Sequence, residues 1–299
     1  MNSIFKHYRF LIARRVTQLL ILSLYISANI YGIKVLTGTL SSSKVLDIFP
    51  LSDPYALLQI FSAGAIVSFD VIFGALIISF FYALFAGRAF CAWVCPMNIV
   101  TDAANWLRRK LSLDRTEKRV WLDKNVRYWV LGLSLILSYM LKVAAFEMVS
   151  PIGMLYRGAI FGFGMGFAAV LSIFLFDLFA VKNGWCGHIC PLGGFYSSIA
   201  KISLLRVKHD QQNCTLCMKC KEICPEKQVL SLIGKESGDI VSGECLNCGR
   251  CIEVCEDDAL SFGIRNYIKK NGEEIDNVRE KNIYRGCFLS CFYCCWMCS

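Results

Sequence analysis

The chain predicts an α-helical membrane protein: four transmembrane helices in two hairpins, followed by a small α+β domain built on two cysteine runs. Three observations carry that expectation. The 299 residues are 56% hydrophobic and only 18% charged, too apolar for an ordinary soluble domain. Four apolar stretches are long enough to cross a bilayer, which takes about 20 residues each. Of seventeen cysteines, eight form Cys214-x-x-Cys217-x-x-Cys220-x-x-x-Cys224-Pro225 and Cys245-x-x-Cys248-x-x-Cys251-x-x-x-Cys255.

The apolar stretches are about Val16–Ile33, Ile66–Ala86, Tyr128–Phe146 and Ala159–Val181. Only Lys142 interrupts the third, near an end from which it can snorkel to the headgroups. The flanking cations set the orientation. The N-terminal arm carries Lys6, Arg9, Arg14 and Arg15. The segment between spans two and three is also rich in Lys and Arg, from Arg88 through Arg108, Arg109 and Lys110 to Lys124 and Arg127. The first outer loop has only Lys34 and Lys44, and the second little beyond Lys142 and Arg157. The N-terminus is therefore expected on the cytoplasmic side of the inner membrane, and four crossings return the chain to that side. Arg14-Arg15 also matches the start of a twin-arginine export signal, but the following residues do not continue that pattern and no small-residue cleavage site follows. The expected domains are a membrane domain over 1–205, a cluster domain over 206–265, and a polar linker with a Cys-rich tail over 266–299.

The two cysteine runs have the spacing that wraps a cubane iron–sulfur cluster. In the bacterial ferredoxin arrangement, three cysteines of one run share a cluster with the last of the other. This predicts one [4Fe-4S] cluster on Cys214, Cys217, Cys220 and Cys255, and a second on Cys245, Cys248, Cys251 and Cys224. Cys255 is followed by Glu256 where proline is usual, which tunes the loop without removing a ligand. Zinc knuckles are the competing reading, disfavoured by two complete four-cysteine runs. Cluster ligands must stay reduced, so this part should face a reducing compartment rather than form a disulfide scaffold. The three histidines, His7, His188 and His209, lie outside the apolar spans and no C-x-x-C-H occurs, so no haem is expected. No nucleic-acid partner is expected either.

A second cysteine pattern is duplicated. Span two ends in Phe90-Cys91-Ala-Trp-Val-Cys95-Pro96 and span four in Trp185-Cys186-Gly-His-Ile-Cys190-Pro191. Residues four apart share a helix face, and the proline ends the helix. Cys91, Cys95, Cys186 and Cys190 are thus candidates to hold a metal or cluster, or to exchange electrons as dithiols; the plainer reading is reduced structural thiols at two helix ends. Gly158, Gly162 and Gly166 read as a small-residue packing face of span four. Cys287, Cys291 and Cys294 match the spacing of a radical-SAM loop, but no barrel-length domain accompanies them. With Cys295 and Cys298 they suit an accessory metal site, an acylated tail or a plain extension.

With four spans, two C-x-x-x-C-P motifs and a double-cluster ferredoxin-like tail, the chain resembles the NapH/MauN family over about residues 10–265. Gly38-Thr-Leu-Ser-Ser-Ser43 followed by Pro50-Leu-Ser-Asp-Pro54 is also similar to that family's first outer loop. The resemblance implies a membrane electron-transfer subunit of a quinol dehydrogenase, drawing on the quinone pool through menaquinol or ubiquinol. It implies a periplasmic iron–sulfur partner of the NapG type and a periplasmic reductase, with nitrate reductase foremost; related subunits serve nitrous oxide reductase and methylamine utilisation. Quinol oxidation releases protons, and Asp53, Asp70 and Asp177 are candidates to handle them. All three are expected near an interface, where each also has a structural reading. Competing classes are a membrane ferredoxin for metal reduction in oxidase maturation, whose usual C-terminal β-domain is not seen here, and a redox sensor.

Overall fold

The computed structural model describes residues 2–32, 35–112, 123–162, 164, 166–265 and 267. Helix α1 runs Asn2–Tyr31, about 45 Å at 1.5 Å per residue, and begins well before the expected span. Helix α3 (Phe69–Phe81) continues through a π turn (Tyr82–Ala86) and a 3-10 turn (Gly87–Ala89) into α4 (Phe90–Trp93). Tyr8–Tyr31 and Phe69–Trp93 are long and apolar enough to cross a membrane; α6 (Val126–Leu141) and α9 (Gly166–Phe179) are apolar but shorter.

The segment expected as a plain outer loop is folded. Strands β1 (Leu36–Gly38), β2 (Ser42–Val45) and β3 (Phe49–Ser52) form an antiparallel sheet in that order. Strand β3 lies directly on α3, where a Cβ at Gly74 would stand 2.8 Å from the Pro50 carbonyl oxygen. A valine at Gly74 is therefore expected to push the sheet off the helix and destabilise the fold by about 1–3 kcal/mol, read as a lower melting temperature of the purified protein.

Helix α2 (Pro54–Ser62) starts with proline at its first position and Asp53 as its cap, the carboxylate accepting from the Tyr55 amide at 3.3 Å. The Tyr55 hydroxyl meets Ser134, halfway along α6. The Gln59 side-chain oxygen accepts from the Phe146 amide at 2.9 Å, beyond the end of α6. Helix α2 thus lies alongside the second half of α6, with Asp53 level with its middle.

The second hairpin repeats the plan. Short α7 (Ala145–Val149) leads to Ser150, which caps α8 (Pro151–Phe161), again with proline first. Gly162, at φ +95°, ends α8, and Gly166 opens α9. This corrects the expected glycine face: the three glycines do not share one helix, because the left-handed turn at Gly162 separates them. Close packing survives in another form, since a Cβ at Gly166 would stand 3.1 Å from the Met154 Cβ across the turn. Each cysteine pair is followed by a helix starting at or just after its proline, α5 (Met97–Lys110) and α10 (Pro191–Ile199). Helix α10 is mostly buried. An aromatic core joins the hairpins: Phe90 stacks on Tyr196 at 4.9 Å, with Tyr82 edge-on at 5.2 Å.

In the last part, β4 (Leu205–His209) lies between β5 (Gly238–Asp239) and β6 (Leu260–Ile264). Helices α11 (Lys219–Ile223) and α12 (Arg250–Glu253) each contain the third cysteine of one run, Cys220 and Cys251. Val207, Leu230, Ile233, Ile240, Ile252 and Leu260 form the core. The boundary expected at 205/206 falls inside one unit, Met1–Gly263. The Cys-rich tail, with Cys287, Cys291, Cys294, Cys295 and Cys298, lies outside the described residues.

Candidate functional site

The two cysteine runs fold into matching loops. Leu216 and Met218 adopt left-handed φ of 61° and 58°; Asn247 and Gly249, at the same places in the second run, have 47° and 75°. One such residue within each C-x-x-C step turns the backbone around a common centre, as wrapping a cluster requires. Cys220 has Cys217, Cys255 and Cys214 within electrostatic reach. Cys224 has Cys248 and Cys245, and Cys251 has those three together with Cys220. Cys255 of the second run thus lies within electrostatic reach of Cys220 in the first, and Cys224 of the first within reach of Cys245 and Cys248 in the second. Among the described residues no three His, Cys, Asp or Glu side chains converge as the ligands of a single ion do.

The donor chemistry of these loops suits an iron–sulfur core. Burial pushes the Cys245 thiol up to about 11, partly offset by the Asn247 amide and reinforced by Cys248. Thiolates crowded in such a pocket need a cationic partner, which the iron of a cluster would supply. Cys217 alone among the eight is exposed, so the first set is the one nearer solvent.

The duplicated pairs also converge. Cys95 has Cys91 and Cys190 in electrostatic reach, and Cys186 has all three others. The first cysteine of each pair is half-buried and the second buried. The Cys95 sulfur receives the amides of Met97 and Asn98; the Cys190 sulfur receives those of Leu192 and Gly193. Each pair thus presents one sulfur to two amides at the start of a helix. The expected i, i+4 helix face is corrected: the Cys95 amide bonds to Phe90 at 2.9 Å, and that of Cys190 to Trp185 at 2.9 Å. Both turns are one residue wider than an α turn, and the aromatic before each motif supplies the carbonyl. Gln18 of α1 closes the first turn, donating to the Ala92 and Cys95 carbonyls at 3.0 and 3.1 Å.

Charged groups join the thiols to the cysteine loops. Arg88 bonds to the Cys91 sulfur, to the Cys186 carbonyl at 2.9 Å and to Glu226 at 2.9 Å. Glu226 directly follows Cys224-Pro225 and also binds Arg127 at 3.1 Å and Lys124 at 2.8 Å. Arg127 reaches Glu244, next to Cys245, at 2.9 Å. The Trp93 indole, inside the first C-x-x-x-C, donates to the Asn247 carbonyl at 3.0 Å.

The three acids differ. Asp70 is exposed in the first turn of α3, where a carboxylate suits the helix dipole. Asp177 is buried and accepts from the Trp185 amide at 3.0 Å, a structural tie beside Cys186. Asp53 accepts from the Tyr196 hydroxyl at 3.4 Å. It is half-buried between buried Ser52 and Pro54. Sequence reasoning passed over Arg88, Arg127, Glu226, Gln18 and Tyr196. Arg88 and Arg127 had been counted only as orienting charges, although Arg88 precedes Cys91 by three residues; Gln18 was a polar residue within an apolar span.

Comparison with known proteins follows these boundaries. A family model described as "4Fe-4S binding domain" matches residues 67–114 and 161–209, and one described as "4Fe-4S dicluster domain" matches 206–256. The first therefore covers each hairpin's last long helix, its cysteine pair and the helix that follows. Fold and site define a membrane protein of the ferredoxin type, an electron-transfer protein with 4Fe-4S domains. The ferredoxin-type protein NapH of Haemophilus influenzae is 43% identical over 86% of this chain and 90% of its own. NapH of Escherichia coli is 37% identical over 87% and 91%, and the methylamine utilization ferredoxin-type protein MauN of Methylorubrum extorquens 39% over 84% and 88%. The chain belongs to the NapH/MauN family of ferredoxin-type proteins. No solved structure matches it.

Proposed function

We propose that this chain is the membrane iron–sulfur subunit of a quinol dehydrogenase, passing electrons from menaquinol or ubiquinol toward a periplasmic reductase, nitrate reductase first among them. The observation that carries the reading is the thiol group of Cys91, Cys95, Cys186 and Cys190, which lies between the Asp53–Tyr196 aromatic core and the two cysteine loops. On this reading α1, α3–α4, α6 and α9 are four crossings of the inner membrane, with the N-terminus and both [4Fe-4S] clusters cytoplasmic. Helices α2 and α8 are then re-entrant half-helices.

Oxidation of one quinol releases two electrons and two protons, and clusters held by the eight loop cysteines would supply one-electron acceptors. Asp53 is the proton acceptor, because it is the acid held at mid-depth by the packing of Tyr55 on Ser134. Glu147, within electrostatic reach of Asp53 and paired with the Ser41 hydroxyl, is a second carboxylate near it. The electron partner is a periplasmic iron–sulfur subunit of the NapG type. The identities to NapH and MauN proteins overlap, which favours a second destination, the methylamine system, equally well on kinship.

The test uses the full-length protein with its clusters, reduced by decylubiquinol or menadiol and followed by bleaching of the iron–sulfur absorbance. Quinol reduces the wild type, and Asp53→Asn, which still caps α2, slows this by roughly a hundredfold while dithionite reduction is unchanged. Wild-type clusters that quinol leaves oxidised would end the quinol reading.

A further inference from the structure

A cleft of about 610 Å³ opens between α1, α5 and α12, lined by Tyr8, Arg14, Arg15, Trp106, Arg109 and Arg250 among others. The proposed electron path does not use it. Its charges are unbalanced. The two carboxylates in the lining are Asp102 and Glu253, and both are already engaged. Asp102 is bound by Arg15 and Arg250, while Glu253 accepts the amides of Phe10 and Leu11 at 2.6 and 2.8 Å. Arg14 is 0% exposed, yet among the described residues neither terminal nitrogen of its guanidinium has a hydrogen-bond partner. Its nearest carboxylate oxygen, on Asp102, is 3.8 Å away. A buried guanidinium without hydrogen bonds is costly unless an anion completes it.

We propose that this cleft binds the phosphodiester headgroup of an anionic phospholipid. A phosphate oxygen accepts from the two terminal nitrogens of Arg14 in the fork geometry that guanidinium favours, and a zwitterionic headgroup is disfavoured because its own ammonium would sit among Arg14, Arg15, Arg109 and Arg250. Basic pockets between helices at a membrane face hold such headgroups. Exposed Arg109 on α5 stands at the mouth, with exposed Tyr8 and Trp106, aromatics of the kind that settle at the headgroup level.

The acyl chains separate a lipid from free phosphate. Ile12, Val16, Leu19 and Leu20 are all exposed and recur at the spacing of one helical stripe. That stripe starts beside the cleft and runs along α1 through its membrane-length segment, giving the tails an apolar bed that inorganic phosphate would not need. The site also has a neighbour: Arg14 and Arg250 both face Cys248, so the bound phosphate lies beside the second cysteine loop. The inference is independent of what reduces the clusters.

The test is lipid retention and stabilisation of the full-length protein. Wild type, Arg14→Gln and Arg109→Gln are delipidated in detergent and given phosphatidylglycerol, phosphatidylcholine or millimolar inorganic phosphate. Native mass spectrometry counts bound lipid and thermal unfolding reads stabilisation. Wild type is expected to retain phosphatidylglycerol and melt higher with it, and phosphatidylcholine and phosphate are expected to have no effect. Apparent affinity for phosphatidylglycerol should fall about tenfold in Arg14→Gln, a change of about 1.4 kcal/mol, and less in Arg109→Gln. Exposed Arg109 keeps the test decisive if Arg14→Gln does not fold. Equal binding of phosphatidylcholine, or phosphatidylglycerol binding unchanged in the variants, overturns the proposal. Protection by inorganic phosphate alone assigns the cleft to a free anion and overturns the lipid.

Discussion

Glu226→Gln is expected to loosen the junction between the cysteine loops and the helical part, at a cost of about 3–5 kcal/mol. The Glu226 side chain is buried and receives Arg88, Arg127 and Lys124, plus the Gln228 amide at 2.8 Å. Neutralising it leaves two buried guanidiniums without their shared counter-charge, one residue from the Cys224-Pro225 step. The measurement is thermal unfolding together with retention of iron–sulfur absorbance. A melting temperature equal to wild type would show that the charge cluster does not hold the junction. The same residue sets a pH response. Burial alone would raise the Glu226 carboxyl, but Arg88, Arg127 and Lys124 outweigh it and hold it at about 2, below its ordinary 4.5. A depressed carboxyl stabilises the fold fully above its unfolded value and loses that contribution as pH falls through the folded one. Wild type should therefore weaken between about pH 4.5 and 2, and Glu226→Gln should lack that component.

Cys91→Ala is expected to abolish quinol-driven reduction of the clusters, by about a hundredfold or more, equivalent to at least about 2.7 kcal/mol of barrier. Cys91 is half-buried, so trimming its sulfur removes little packing. Arg88 still holds Glu226 and the Cys186 carbonyl without it. Dithionite should reduce the variant's clusters as in wild type, and iron content should fall only if the four thiols themselves hold iron. Quinol reduction within twofold of wild type would return these cysteines to the structural reading.

What the sequence made legible follows the range of each interaction. The eight loop cysteines are set by local spacing, and the left-handed turns at Leu216 and Asn247 serve that spacing within a few residues. The duplicated pairs were visible because the motif repeats with an aromatic in front, although the aromatic's role as carbonyl donor to a wide turn was not. Helices α2 and α8 were hidden because nine or eleven residues opening with Asp-Pro or Ser-Pro read as turns. Their burial comes from α6 and α9, not from their own periodicity. The Glu226 cluster joins residues about a hundred positions apart, and nothing local marks a lone glutamate after Cys-Pro. The glycine series misled for a related reason: a four-residue period suggested one helix, while the φ of Gly162 broke it in two.

The two capped half-helices carry a further consequence. The hairpins match in their cysteine pairs, their wide turns and their X-Pro starts, yet one cap is Asp53 and the other Ser150. A duplicated scaffold has kept its sulfur chemistry in both copies and an ionisable cap in one. On the proposed reading, electrons meet a symmetric receiver while protons have a single exit, so the chemistry becomes vectorial through an inequality of one side chain. Exchanging the caps, with serine at 53 and aspartate at 150, would ask whether direction in this protein resides in the fold or in that one carboxylate.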